Sequence, residues 1–304
     1  MRRSPLAFIP FLLACFGCTS LRPFEDVRRT VPADRFLSIR GQLVHVEMAG
    51  EGPPLLLLHG FGGSTYSWRL VMPRLAESFR VVAVDLSGFG YTERPTDPAR
   101  YTREAQGELI LGVMEALGFP SAHLMGHSYG GGLSLWLAWK YPEKVRSLVL
   151  LDSSAPTYSY DRRSRTAALR PLASLYVRTF ALRAANVRRA LRRSFYDDSL
   201  ATPELVEAYL DRLRIEGVTD AFHGLTAPVE GPVERVLLED IRTPALVLWG
   251  AEDPLIRVED GRKGVAKMQN AQFVVLENVG HVPMEEAPEA VLVHALPFLE
   301  RQPR

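Results

Sequence analysis

The chain has 304 residues and a net charge of +1 from 36 basic and 35 acidic side chains, so it can bury one large core and carries no global field that would draw nucleic acid or an acidic partner. Its only two cysteines, Cys15 and Cys18, lie in the first eighteen residues. A disulfide framework, a thiolate metal site and a cysteine nucleophile are thereby excluded from the rest of the chain.

The first twenty residues place two arginines before an apolar run from Leu6 to Gly17 and end in small polar residues, the layout of an export signal. The run is too short for a comfortable transmembrane span. Leu12-Leu13-Ala14-Cys15 and Gly17-Cys18-Thr19-Ser20 both resemble the lipobox of bacterial lipoproteins. Residues 1–18 therefore read as a lipoprotein signal, with lipidation at Cys18, or at Cys15, and the mature protein as exported and anchored at the cell envelope. Residues 19–34 are polar and basic with two prolines, and read as a tether.

Structure is expected from Arg35, beginning with a hairpin of Phe36 to Arg40 and Leu43 to Met48 around Gly41-Gln42. Short apolar runs follow at Leu55 to Leu58, Val81 to Val84, His123 to Met125, Ser147 to Leu151, Ala245 to Trp249 and Phe273 to Leu276, as suits strands buried on both faces. Helical patterns at Tyr66 to Ser78, Thr102 to Leu117, Gly130 to Lys140, Val258 to Gln269 and Pro288 to Glu300 alternate with them, which predicts a mostly parallel sheet flanked by helices. The alternation breaks once, and the predicted organisation is a core of residues 35–152 and 241–304 with an inserted helical cap at 153–240. From Asp161 to Phe195 the cap carries ten arginines among apolar residues, a basic amphipathic pattern suited either to anionic lipid headgroups or to plain solvation.

Gly126-His127-Ser128-Tyr129-Gly130 matches a GxSxG nucleophile elbow, and it sits where that motif must, between an apolar strand and a helix opening at Gly130. Leu58-His59-Gly60-Phe61-Gly62-Gly63 follows one strand, and Asp85-Leu86-Ser87-Gly88-Phe89-Gly90 follows the next. In this order the three segments resemble those of α/β-hydrolases, from about residue 36 to the end except in the cap. The resemblance implies an α/β-hydrolase fold, with the backbone amides of Phe61 and Tyr129 as the oxyanion hole, and gives Asp85 a structural turn. His59 and His127 are expected to brace these loops.

Of seven histidines, His281 alone lies on a loop after the last predicted strand, at the carboxyl edge where such active sites gather. It is the expected general base. Asp253, after the penultimate strand, gives the order Ser, Asp, His; Asp152 and Glu252 are the alternatives for the acid. A serine in the elbow, where epoxide hydrolases and haloalkane dehalogenases carry an aspartate, argues against those activities. No metal-ligand cluster or dinucleotide loop appears, so no cofactor is expected.

The leading reading is a serine hydrolase cleaving carboxylic esters of apolar acyl groups through an acyl-enzyme. Phe61, Tyr129, Trp68 and Met284 are the apolar residues expected near Ser128. The alternatives are a carbon–carbon bond hydrolase of meta-cleavage-type products and a ligand-binding homologue of low turnover. The expected partners are a small apolar ester and, through the anchor and the basic cap, a membrane surface.

Overall fold

The computed structural model describes residues 20–154, 174–227 and 236–302. Its centre is a single eight-stranded sheet of β1 (Phe36–Ile39), β2 (Gln42–Ala49), β3 (Pro54–Leu58), β4 (Arg80–Val84), β5 (Ala122–His127), β6 (Val145–Leu151), β7 (Ala245–Gly250) and β8 (Ala271–Leu276). The spatial order is β1-β2-β4-β3-β5-β6-β7-β8. The pairs β1–β2 and β2–β4 are antiparallel, and every later pairing is parallel.

The continuous apolar runs are explained by the pleat. Along β3, Leu56 and Leu58 enter one core cluster while Leu55 and Leu57 enter another, and β4 and β6 divide in the same way. Both faces are covered, so these strands are apolar along most of their length, with Arg80 at the start of β4 and Arg146 and Ser147 near the start of β6 as the polar exceptions.

The helices of the core are α1 (Phe24–Thr30), α2 (Met72–Leu75), α3 (Arg103–Ala116) and α4 (Ser128–Lys140). Between β6 and β7 come a π-helical turn at Val177–Ala181 and helices α5 (Ala184–Ser194), α6 (Pro203–Leu213) and α7 (Val218–Thr226). After β7 follow α8 (Val258–Val265), α9 (Pro283–Glu286) and α10 (Pro288–Glu300). Among the described residues, part of the insertion joins the main core while Val177, Leu182 and Val218 form a small cluster of their own. Val187 and Leu191 of α5 and Leu205, Val206 and Leu210 of α6 share a cluster with Leu55, Trp68 and Met284.

Three expectations need correction. The hairpin turn is Arg40–Gly41, one residue earlier than read, with φ of 50° and 76° and Ile39 opposite Gln42; two positive-φ residues match the twist of the flanking strands. The helix read over Tyr66 to Ser78 is a 3₁₀ turn, Thr65–Trp68, followed by α2. Pro73 accounts for the break, because proline is tolerated in a first turn and not in a helix interior. The stretch 19–34 is more than a tether: it holds α1, whose Val27 is fully buried, and Arg22 bridges to Ile215 of the insertion. Cys15, Cys18 and four of the ten basic-stretch arginines lie outside the described residues. Among the described residues no helix is long and apolar enough to cross a membrane.

Candidate active site

Ser128 begins α4 directly after β5 with φ of 47°, a left-handed conformation that costs a side-chain-bearing residue roughly 1–3 kcal/mol. The turn closes because its glycines lack a Cβ. One added at Gly126 would lie 2.6 Å from the Gly130 carbonyl oxygen, and one at Gly130 would lie 2.1 Å from the Leu58 carbonyl oxygen. The result lifts the half-buried Ser128 hydroxyl above the sheet edge.

His281, on the loop after β8, reaches this hydroxyl with Nε2 at 3.0 Å from Ser128 Oγ. Its Nδ1 lies 2.7 Å from Asp253 Oδ2. Asp253 is fixed in turn by its other oxygen, which accepts the amides of Leu255 at 2.7 Å and Ile256 at 3.0 Å. Burial alone would raise the Asp253 carboxyl, but the His281 hydrogen bond and charge and the two amides outweigh it and hold the group below its ordinary value. An anion on Nδ1 keeps Nε2 free to accept a proton.

Neither rival acid holds His281 Nδ1, which Asp253 takes. Glu252 is exposed and its carboxylate accepts the Val279 amide at 3.0 Å. Asp152 ends β6 with φ of 42°, is fully buried, and accepts the Gly250 amide at 3.0 Å. Burial, then the neighbouring Asp253 charge, push its carboxyl well above the ordinary range. Asp152, Asp253 and His281 are the one group among the described residues whose atoms have metal-ligating spacing, within 4.8 Å. Asp253 Oδ2 and His281 Nδ1 face each other and Asp152 Oδ1 accepts the Gly250 amide, while Asp152 Oδ2 is buried without a hydrogen-bond partner.

Both loop histidines brace as expected. His59 donates from Nδ1 to the Gly60 carbonyl at 2.8 Å and accepts the Leu86 amide on Nε2 at 3.0 Å, while burial keeps it neutral. His127 donates from Nε2 to the His281 carbonyl at 2.7 Å, and burial followed by the His281 charge hold it down at about 3. Phe61, on the loop after β3, is 54% exposed and packs edge-on against Phe89, which lies beside Tyr129. The Tyr129 amide belongs to the first turn of α4, where helix geometry leaves donors without intrahelical partners and the dipole is positive. Trp68 and Met284 are fully buried in the core, below the level at which a substrate would meet them.

Glu286 is a site residue that sequence reasoning passed over. Its carboxylate accepts the amides on both sides of His281, from Gly280 at 3.0 Å and Val282 at 3.0 Å, and the Tyr196 amide of the insertion at 2.7 Å. The His281 amide itself donates to the Ser194 carbonyl at the end of α5, at 2.7 Å. Gly280 permits this approach, since a Cβ there would lie 2.5 Å from the same oxygen. Beside it, Glu285 binds Arg69 at 2.6 Å and the Tyr209 hydroxyl of α6. The available signal was the pair Glu285-Glu286 just after Pro283, which marks a helix start and says nothing of its partners.

Comparison with known proteins agrees with this architecture. The model of the alpha/beta hydrolase fold family matches residues 53–288. The chain is 34% identical over 279 residues to the dihydrolipoyllysine-residue acetyltransferase component of the acetoin cleaving system of Pseudomonas putida, across 89% of this chain and 70% of that one. It is also 34% identical to a 2-hydroxymuconate semialdehyde hydrolase of Pseudomonas sp. (strain CF600), across 77% and 82% of the two. A solved thermophilic esterase from Thermogutta terrifontis superposes with a TM-score of 0.72 at 26% identity, over 88% of this chain and 97% of that one. The sheet order, the family model and these likenesses agree that the chain is a hydrolase belonging to the α/β-hydrolase fold family.

Proposed function

We propose that the chain hydrolyses carboxylic esters of apolar acyl groups through a covalent intermediate on Ser128. The observation that carries this reading is the continuous line from Asp253 through His281 to Ser128, with contacts of 2.7 and 3.0 Å. Ser128 Oγ attacks the acyl carbon as His281 Nε2 takes its proton. The carbonyl oxygen becomes an oxyanion held by the Phe61 and Tyr129 amides, each such donor typically worth several kcal/mol in the transition state. Collapse of this intermediate breaks the ester bond, and His281 returns the proton to the departing alkoxide. Water, activated by His281, then releases the acid and restores Ser128. The rings of Phe61, Phe89 and Tyr129, packed on one another beside the elbow, support an apolar acyl group.

A second reading, hydrolysis of a carbon–carbon bond in a meta-cleavage-type product, is favoured by the likeness to the 2-hydroxymuconate semialdehyde hydrolase. The same attack would then expel a carbon leaving group. Comparing kcat/KM for p-nitrophenyl butyrate and octanoate with that for a dienoate diketone separates the two. Faster ester cleavage supports the first; a preference for the diketone above tenfold replaces it with the second. Stoichiometric acylation without release would mark a low-turnover binder.

A further inference from the structure

From Ser174 to Tyr196 the insertion carries six arginines and no acidic residue. Val177, Leu182, Val187 and Leu191 turn inward and are buried. Outward stand Leu175, Tyr176, Phe180 and Tyr196, each 44–58% exposed, together with the exposed Arg178, Arg189, Arg192 and Arg193. Five residues of this stretch touch in sequence. Tyr176 stacks on Phe180 with centroids 5.9 Å apart, and the Arg183 guanidinium lies 5.2 Å over the Phe180 ring. Asn186 donates to the Phe180 carbonyl at 2.6 Å and Arg189 donates to Asn186 at 3.1 Å. Arg192 and Arg193 follow Arg189 by one helical turn; Asp198, 3.9 Å from Arg192, marks the acidic border.

The N-terminal segment joins the fold at this same place. Leu21 packs against Val177, Leu182 and Val218. The Arg22 amide donates to the Arg214 carbonyl at 2.8 Å, and the Arg214 guanidinium donates to the Leu182 carbonyl at 2.9 Å. The apolar run from Leu6 to Gly17 ends four residues before Leu21, a reach of at most about 15 Å even when fully extended.

We propose that this aromatic–arginine surface docks onto a lipid bilayer bearing anionic headgroups. A merely solvated basic face has no use for four large exposed apolar side chains. A bilayer surface uses both, since rings enter the headgroup boundary and guanidiniums meet phosphates. The attachment of the N-terminal segment to Val177 and Leu182, on the inward side of the same stretch, would hold any apolar leader near the same membrane. None of this depends on which bond Ser128 cleaves.

The test is flotation of the full-length protein with vesicles of phosphatidylcholine alone and of phosphatidylcholine with about one third phosphatidylglycerol. The wild type is expected to prefer the anionic vesicles by tenfold or more, and the preference is expected to fade at high salt. The variant R189Q/R192Q/R193Q is expected to lose about a hundredfold on anionic vesicles, roughly fivefold for each arginine, with an unchanged thermal midpoint. Y176S/F180S is expected to weaken binding to both kinds of vesicle. Equal binding of wild type and arginine variant to anionic vesicles, or a wild type without preference between the two compositions, would overturn the proposal.

Discussion

Two buried histidine–aspartate pairs stand at different parts of the sheet, and they are nearly superposable in chemistry. At the antiparallel end, His45 Nδ1 on β2 lies 2.7 Å from Asp85 Oδ2 after β4; at the carboxyl edge, His281 Nδ1 lies 2.7 Å from Asp253 Oδ2. The side chains of both pairs are less than a tenth exposed. What differs is the second imidazole nitrogen. His45 Nε2 faces only the Glu47 carboxylate, at 3.5 Å, whereas His281 Nε2 faces the Ser128 hydroxyl. Burial by itself would lower His45, but Asp85 and then Glu47 raise it to about 9. Burial likewise would raise Asp85, but His45, His59 and the Tyr91 amide lower it to about 2. The first pair is therefore locked in its charged form and braces the turn after β4, since Asp85 also accepts the Thr65 and Tyr91 amides. Only the second presents a nitrogen to something that can give up a proton.

Substitutions should separate the pairs by kind of damage. The largest effect is expected from Ser128→Ala or His281→Ala, each lowering kcat by roughly 10⁴–10⁶, with little further loss in the double variant because the groups act as one unit. Intact mass after fluorophosphonate treatment would show one adduct on the wild type and none on Ser128→Ala. Asp253→Asn is expected to lower kcat by about 10⁴ with the fold intact, through the wrong imidazole tautomer. Asp85→Asn should do the reverse: a loss of roughly 3–5 kcal/mol in urea unfolding with near-normal turnover of the folded fraction. Normal stability with abolished turnover in Asp85→Asn would erase the distinction.

Glu286→Gln keeps one acceptor oxygen for three amides, and a fall in kcat of about tenfold is expected from looser placement of His281, roughly 1.4 kcal/mol in the barrier. The pH dependence of stability gives a smaller, cleaner contrast. His45 has its folded value raised, so its contribution is complete below the unfolded value of about 6.5 and is lost as pH rises through about 9. The thermal midpoint should drop across that window in the wild type and stay flatter in His45→Gln. The smallest effect belongs to Asp152→Asn, expected to cost at most a few-fold in kcat because His281 Nδ1 is already taken by Asp253 and the substituted side chain keeps an oxygen for the Gly250 amide. A loss comparable with that of Asp253→Asn would return Asp152 to the role of acid.

The legible parts of the molecule were those written locally. An apolar run such as Leu55 to Leu58 or Ser147 to Leu151 announces a doubly covered strand by itself, and the elbow around Ser128 needs its glycines within five residues. His281 and Asp253 could be found because each follows a strand whose place in the order was readable. What stayed hidden depends on distant partners. His45 and Asp85 are forty residues apart, and nothing in QLVHVEMA distinguishes a charged core histidine from a surface one. Val27 makes α1 part of the fold, yet one valine among charged residues leaves no pattern. Glu286 and Tyr196 are ninety residues apart and joined through a backbone amide, to which the identity of the donor residue is indifferent.

The hydrogen bond from the His281 amide to the Ser194 carbonyl has a mechanical consequence. The proposed catalytic base, His281, is hung partly from the last residue of an inserted helix, and Glu286 grips the residues on either side of it together with the next turn of that insertion. Lifting residues 194–196 to admit a bulky substrate would strip His281 of one support and Glu286 of another at the same moment. The site would then be disarmed while open and rearmed on closing. A substrate would be admitted with the nucleophile uncocked, and water entering an open, empty site would meet a serine without its base in register.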